Sequence, residues 1–400
     1  MAVNNGEMTQ AYTLINSLYQ QATGQSAIAG AAMTDYITVA NEVKKLPTNQ
    51  ILTAMGQVMS RSIFSIRPYS NKFDFMAVSD DKWGGIVRKF NMIARDPAEA
   101  DTTIFKQGTP GTALADGDSV DQWKINKPKI LQTNFYGANV YQKSITRFEK
   151  QLRDALSSPA EFNQFWSMVM TEINNEIEGD KEAVARAVLL NYITGKIDGD
   201  TSNVIHCLTE YNDQTGQELT AADVFTDTNL VPFTKWLYAR INTLSSFMTN
   251  RTTKYHMNIA NKPVIRFTPA NKQKCLLNTQ IMNDVQTTVL SSVYNLDKMQ
   301  TLDFRKIDFW QSIDTPYGVK ATPTYLNVAD GSVKTAASEV VKSNVLGIIY
   351  DTDAFGINNK YESMRATEVN AAGEYSNMFW HYTVRAWNDF TENGLILLLD

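Results

Sequence analysis

Residues 158–196 read SPAEFNQFWSMVMTEINNEIEGDKEAVARAVLLNYITGK, and this stretch decides the fold. It opens on a capping box. Ser158 accepts hydrogen bonds from first-turn amides, Pro159 suits the first helical position, and Glu161 reaches back to the cap. Phe162, Trp166, Val169, Ile173, Ile177, Val184 and Val188 then recur at spacings of mostly three, four or seven, the stripe of one helix. The spacing predicts a helix from Pro159 to about Ile193, stopping at Gly195 and bending or breaking at Gly179. At 1.5 Å per residue it runs ~50 Å, long beside a mean helix of ~11–12 residues. Its outer face is acidic, with Glu172, Glu176, Glu178, Asp180 and Glu182.

Upstream, residues 84–145 read as a long β-hairpin. Ile86–Ile93 starts as strand after Gly84-Gly85, and Trp123–Leu131 with Phe135–Ile145 forms the return. In Trp123-Lys124-Ile125-Asn126-Lys127 apolar and polar residues alternate, as in a half-buried strand. Pro128 marks an edge or bulge, and the tip from Gly108 to Ser119 is dense in turn formers. A two-stranded ribbon has no core and is marginal alone in water, so it must lie on something. Charge separates these regions. Residues 61–150 carry 14 bases and 10 acids, whereas residues 151–200 carry 4 bases and 9 acids.

Before the ribbon, helical pieces near 8–22 and 49–62 flank a flexible join at Gly24–Gly30. After the long helix comes an α/β region. Val204–Leu208 reads as a strand, Phe233–Met248 as an amphipathic helix and Val264–Phe267 as a strand. Helices follow over Ala270 to about Asn278 and near Ile281–Tyr294, then a strand at Ile307–Trp310. The end is β-rich, with strands at Val345–Tyr350, Met378–Trp387 and Leu395–Leu399.

The 400 residues are 43% hydrophobic and 20% charged, with a net charge of -5. That excludes a strongly basic nucleic-acid coat and an acidic disordered chain. Two cysteines, Cys207 and Cys275, supply neither a disulfide framework nor a paired zinc motif. No signal peptide and no apolar run near ~18 residues is visible, so no membrane partner is expected.

Sites for chemistry are few. His206 and Cys207, as strand neighbours, point to opposite faces. His256 reads as exposed and His381 as packed, and no two histidines share metal-ligand spacing. Asp198-Gly-Asp200 and Asp351-Thr-Asp353 lack the further oxygen ligands of a calcium loop. Phosphate-loop, dinucleotide and nucleophile-elbow motifs are absent. No catalytic residue, cofactor or metal is expected. One pattern stands apart: no acid lies between Asp227 and Asp284, while Lys235, Arg240, Arg251, Lys254, Lys262, Arg266, Lys272 and Lys274 do. It reads as a basic patch or as scattered solubility charge.

The order of arm, ribbon, capped helix, α/β unit and returning strands resembles the major capsid proteins of tailed bacteriophages, the Hong Kong 97-type α+β fold, most of all those of small short-tailed podoviruses. The resemblance rests on Asn134–Ile145 as the close of the extended loop and Ser158–Glu161 onward as the spine helix. It rests also on Lys262–Pro269 with the following helix as a strand–helix step of the axial domain, and on Ser376–Trp387 as the closing peripheral-domain strand. It implies an N-terminal arm and lead-in (1–83), an extended loop (84–145), a peripheral domain with the spine (146–200), an axial domain (201–340) and returning peripheral strands (341–400).

The function implied is a non-enzymatic head protein, made in the bacterial host cytoplasm, whose hexamers and pentamers close an icosahedral or prolate shell around double-stranded DNA. Portal and scaffolding proteins are the implied partners. The loop would cross a neighbour's spine, with Trp123, Ile125, Phe135 and Tyr136 as apolar contacts and Glu172, Glu176 and Glu178 as the acidic counterpart. Some relatives append an immunoglobulin-like domain, whereas this sequence stops at Asp400. Others begin with a long cleavable scaffolding segment, for which this arm is short. No Lys–Asn pair can be assigned to a cross-link. An encapsulin-like compartment, a nucleic-acid-coating nucleoprotein and an enzyme without a recognisable motif are the other readings.

Overall fold

A computed structural model describes residues 66–77, 86–93, 127–148, 159–259, 264–288 and 302–400, with Gln20, Trp123 and Ile125. The helical pieces near 8–22 and 49–62, the join between them, the ribbon tip, the Ser158 cap and the helix expected beyond residue 288 lie outside the described residues.

In chain order the elements are β1 (Ile86–Met92), β2 (Ile130–Tyr136), β3 (Asn139–Phe148), α1 (Pro159–Gly199), β4 (Val204–His206) and α2 (Cys207–Thr215). Next come α3 (Ala221–Val224), α4 (Asp227–Met248), β5 (Gln273–Asn278), α5 (Thr279–Thr288) and β6 (Asp303–Ile307). Four short strands, β7 (Val319–Ala321), β8 (Thr324–Leu326), β9 (Val333–Thr335) and β10 (Val340–Lys342), lead to β11 (Val345–Asp351), β12 (Phe355–Ala366), β13 (Tyr375–Asn388) and β14 (Gly394–Leu398). The chain divides into two compact units. The first draws on 1–71, 142–180 and 363–381, the second on 72–141, 181–362 and 382–400.

The second unit is built on a five-stranded sheet of order β4-β14-β11-β5-β6. β11 is antiparallel to both neighbours, while β14 runs parallel to β4 and β5 parallel to β6. Every residue of β11 and β14 is buried. Their unbroken apolar runs reflect burial on both faces. On one face Cys275, Leu277, Leu395 and Leu397 meet Leu237, Ile241 and Leu244 of α4. On the other, Tyr350 stacks on Phe355 at 4.4 Å, and Phe355 meets Tyr192 of α1 at 5.0 Å. Each fully buried side chain of this size contributes ~1.5–3 kcal/mol. Gly347 lets β5 approach, because a methyl there would fall 2.6 Å from the Leu276 carbonyl.

The long helix runs further than its spacing predicts. α1 has 41 residues, ~60 Å, and passes through Gly179 and Gly195 without stopping. Gly195 is no terminator. A methyl there would lie 2.7 Å from the Phe390 ring, so the residue is small because an aromatic packs on it.

Four expectations are corrected, the first being the strand at Ile307–Trp310, which lies instead at Asp303–Ile307. Residues 273–278, expected as helix, form the interior strand β5, and only Ala270–Lys272 makes a 3-10 turn. Cys275-Leu276-Leu277 are all buried, and three successive apolar residues satisfy a doubly covered strand as well as a helix. Residues 264–267, expected as strand, supply one bridge, Thr252 to Arg266. Cys207 starts α2 rather than ending a strand.

In the first unit the Asn175 side chain holds residues 67–69 along α1, accepting from the Tyr69 amide (2.7 Å) and donating to the Arg67 carbonyl (2.9 Å). There the Arg147 guanidinium lies over Trp166 at 5.2 Å.

Candidate subunit interface

The ribbon of β1 and β2 is antiparallel, in register from Ile86 opposite Tyr136 to Met92 opposite Ile130. Directly opposed residues share a face. Phe90, Met92 and Ile130 fall on one face and are exposed at 61%, 61% and 58%. The other face turns to its own chain. Lys89, opposite Thr133, donates to Asp389 Oδ2 at 2.5 Å and to Glu392 Oε1. Thr133 and Phe135 line a groove of about 590 Å3 with Tyr141, Val188, Tyr325 and Trp387.

The anchor beneath Lys89 is a buried acidic pair. Asp389 also accepts from the Thr391 amide (2.9 Å) and hydroxyl (2.6 Å). Glu392 pairs with Arg266 at 2.8 Å. Burial pushes the Glu392 carboxyl above its ordinary value, against the pull of Lys89 and Arg266.

The residues expected at the interface are thus divided. Trp123 and Ile125 are each 81% exposed and lie outside the strands. Phe135 is half-buried in its own groove. Tyr136 pairs with Ile86, and its side chain is outside the described residues. Glu172 and Glu176 are exposed on α1, and Glu178 is half-buried. Glu176 and Asp180 receive Lys143 of β3 at 2.9 and 3.0 Å. Burial works against the Lys143 ammonium, but these two carboxylates outweigh it and hold its pKa above the ordinary value. The acidic face is therefore partly neutralised within the first unit. Sequence reasoning passed over Phe90, Met92 and Ile130. The alternation of Phe90 and Met92 was the available signal, while Ile130 carries no mark of its own.

The basic stretch 228–283 is not one continuous field. Arg240 makes two hydrogen bonds to Glu210 (2.7 and 3.0 Å), Arg266 pairs with Glu392, and Lys272 pairs with Asp353 at 3.0 Å.

The candidate reactive residues do not converge. His206 Nδ1 lies 2.6 Å from Asp400. His256, expected exposed, is 2% exposed. Its Nε2 lies 2.7 Å from the Val264 carbonyl and its Nδ1 2.9 Å from the Lys254 carbonyl, and burial lowers its pKa. His381 stacks on Phe379 at 6.4 Å. Cys207 and Cys275 are buried, which pushes both thiols up. Asp198 accepts from the Tyr325 hydroxyl and Asp351 from Thr268. Among the described residues no three metal-ligating side chains cluster, and no helix is long and apolar enough to cross a membrane.

Comparison with known proteins gives the family and the fold. The family model of the Phi29-like phage major capsid protein matches residues 10–397. No curated protein matches. Among solved structures, the capsid of Staphylococcus phage Andhra is similar at a TM-score of 0.56 and 14% identity, over 85% of this chain and 87% of that one. A chain in the structure of head fiber and inner core protein gp22 of native bacteriophage P68 gives 0.57 and 12%, over the same shares.

Proposed function

The chain belongs to the Phi29-like phage major capsid protein family, and on that premise we propose how its copies hold one another. It is a shell-forming head protein of a tailed phage, located in the virion, with the α+β fold of the Hong Kong 97 type. Copies of the chain assemble with one another. The proposal is that the open face of the ribbon, with Phe90, Met92, Ile130 and the nearby Trp123 and Ile125, lies on a neighbouring subunit across its acidic spine face at Glu172, Glu176 and Glu178.

What supports this is the ribbon's two-sidedness: one face is committed to the subunit's own core through Lys89, and the other carries three large apolar side chains in water. Exposed ion pairs are worth only ~0–1 kcal/mol each, so apolar burial supplies most of the affinity and charge the register. The domain division into arm, extended loop, peripheral and axial parts belongs to the same proposal. So do hexamers and pentamers closing an icosahedral or prolate shell, double-stranded DNA inside it, portal and scaffolding partners, and a role without catalysis.

Electron microscopy of the expressed chain, alone and with its neighbouring gene products, tests the contact. Phe90→Asp, Met92→Asp and Ile130→Asp together should leave a folded subunit that forms no shells, as should deletion of the tip from Gly108 to Ser119. Normal particles from both would remove the ribbon's role.

A further inference from the structure

The groove lined by the inner face of the ribbon draws its other residues from separate parts of the second unit. Val184 and Asn191 come from α1, Tyr325 and Val333 from the β8–β9 hairpin, and Trp387 and Asn388 from the end of β13. Its volume of about 590 Å3 lies within the ~300–1,000 Å3 of small-molecule sites. The chain is 20% charged, yet none of the described residues lining the groove carries a charge. Lys89, on the same face of the ribbon, is held by Asp389 and Glu392.

The polar residues of the wall differ in how far the chain satisfies them. Asn191 donates to the Thr324 carbonyl (2.9 Å) and accepts from the Thr324 amide (2.8 Å), which pins the hairpin to α1. Asn388 Nδ2 donates to the Val188 carbonyl at 3.1 Å. That bond fixes which end of the Asn388 amide is which, because the opposite orientation would set two carbonyl oxygens together. Asn388 Oδ1 is then an acceptor, and it is buried without a donor. An acceptor left in that state is costly, and a donor brought to it recovers the loss.

We propose that this groove binds a neutral aromatic small molecule carrying one N–H or O–H donor. Phe135, Tyr141 and Trp387 offer flat apolar surface to its rings. An ion would find no counter-charge in the wall, and burying one unpaired is penalised. The donor goes to Asn388 Oδ1. The molecule touches the ribbon through Phe135 and the body through Trp387 at once, so its binding holds the ribbon against its own subunit. Such a site goes beyond the shell reading and does not depend on it.

The test uses the full chain with Phe90→Asp, Met92→Asp and Ile130→Asp, which keeps a probe off the ribbon's open face; wild type below its assembly concentration replaces it should it not fold. The probe is N-phenyl-1-naphthylamine, neutral, with one N–H and fluorescent in apolar surroundings. It should bind once per chain and slow hydrogen exchange of the β2 amides. Its sulfonated analogue, anilinonaphthalene sulfonate, should bind about tenfold more weakly in direct titration, for want of a counter-charge. Phenoxynaphthalene, with an ether oxygen in place of the N–H, should displace the probe only at about tenfold higher concentration. Ala187→Trp and Val333→Trp, at exposed positions on two elements of the wall, narrow the groove. Circular dichroism establishes folding, and either folded variant should weaken probe binding about tenfold. Probe binding unchanged in both folded tryptophan variants would overturn the proposal, as would equal binding of the sulfonate or of the ether. No binding to single chains, with β2 exchange slowed only in wild-type particles, would assign the groove to a second copy and overturn it too. Binding is read on single chains, so its loss leaves the shell reading intact, and a failure of assembly leaves the site intact.

Discussion

Replacing Lys89 by methionine removes the cation that ties the ribbon to the rest of its own subunit. The Lys89 ammonium reaches Asp389 at 2.5 Å and also Glu392, whose side chains are 1% and 9% exposed, while its own is 24% exposed. Breaking a buried pair by removing one partner costs ~3–5 kcal/mol. Glu392 keeps Arg266, and Asp389 keeps its two bonds from Thr391, so the lower end, about 3 kcal/mol, is expected here.

The pH dependence has a definite sign. The Glu392 pKa is raised in the folded subunit, so the charged carboxyl is the disfavoured form there, and protonation on acidification relieves it. The deficit of Lys89→Met should therefore be largest above that raised pKa and shrink as pH falls through it. Urea midpoints between pH 4 and pH 8 give the first quantity, and hydrogen exchange of the β1 amides shows whether opening is local to the ribbon. A loss below ~0.5 kcal/mol, the scale of an ordinary surface substitution, would refute the anchor. So would a deficit that grows on acidification.

Lys196 is wholly buried on α1, 3.6 Å from Asp200, and burial pulls its pKa down to about 8. Lowered in the fold, it disfavours folding while charged, so stability should rise by about 3 kcal/mol between pH 8 and 10.5. Lys196→Met should abolish that rise in urea titrations. Gly195→Ala should cost ~1–3 kcal/mol by overpacking against Phe390, despite alanine's better helix propensity. Gly179→Ala, with open space around the site, should gain ~1 kcal/mol, and thermal melts of the pair separate packing from propensity. Cys207 and Cys275, buried with raised pKa, should react with iodoacetamide only once the subunit is unfolded; rapid labelling of the native chain would contradict their placement.

The most legible parts of the sequence were those whose own periodicity settled the matter. α1 showed in the recurrence from Phe162 to Val188, α4 in its stripe from Phe233, β11 and β13 in runs rich in β-branched and aromatic residues, and β14 in a short leucine-rich run. The failures share a cause: a local pattern that tertiary packing read differently. Cys275-Leu276-Leu277 suits a helix until β11 and β6 flank it. Gly195 looks like a stop until Phe390 lies on it. His256 sits among polar neighbours in sequence, yet the chain at Val264 folds over it. The ribbon's thinness was visible, but its two faces were not. Lys89 and its carboxylates are 300 and 303 residues apart, and no local signal joins them.

The place of β14 has a consequence for synthesis. Residues 394–398 occupy an interior position of the sheet, between β4 and β11. A polypeptide still on the ribosome, or broken off before Gly394, has a slot where its middle should be, and neither flanking strand can close it. A chain that stops at Asn393 should therefore be digested rapidly in limited proteolysis, because β4 and β11 would have no strand between them.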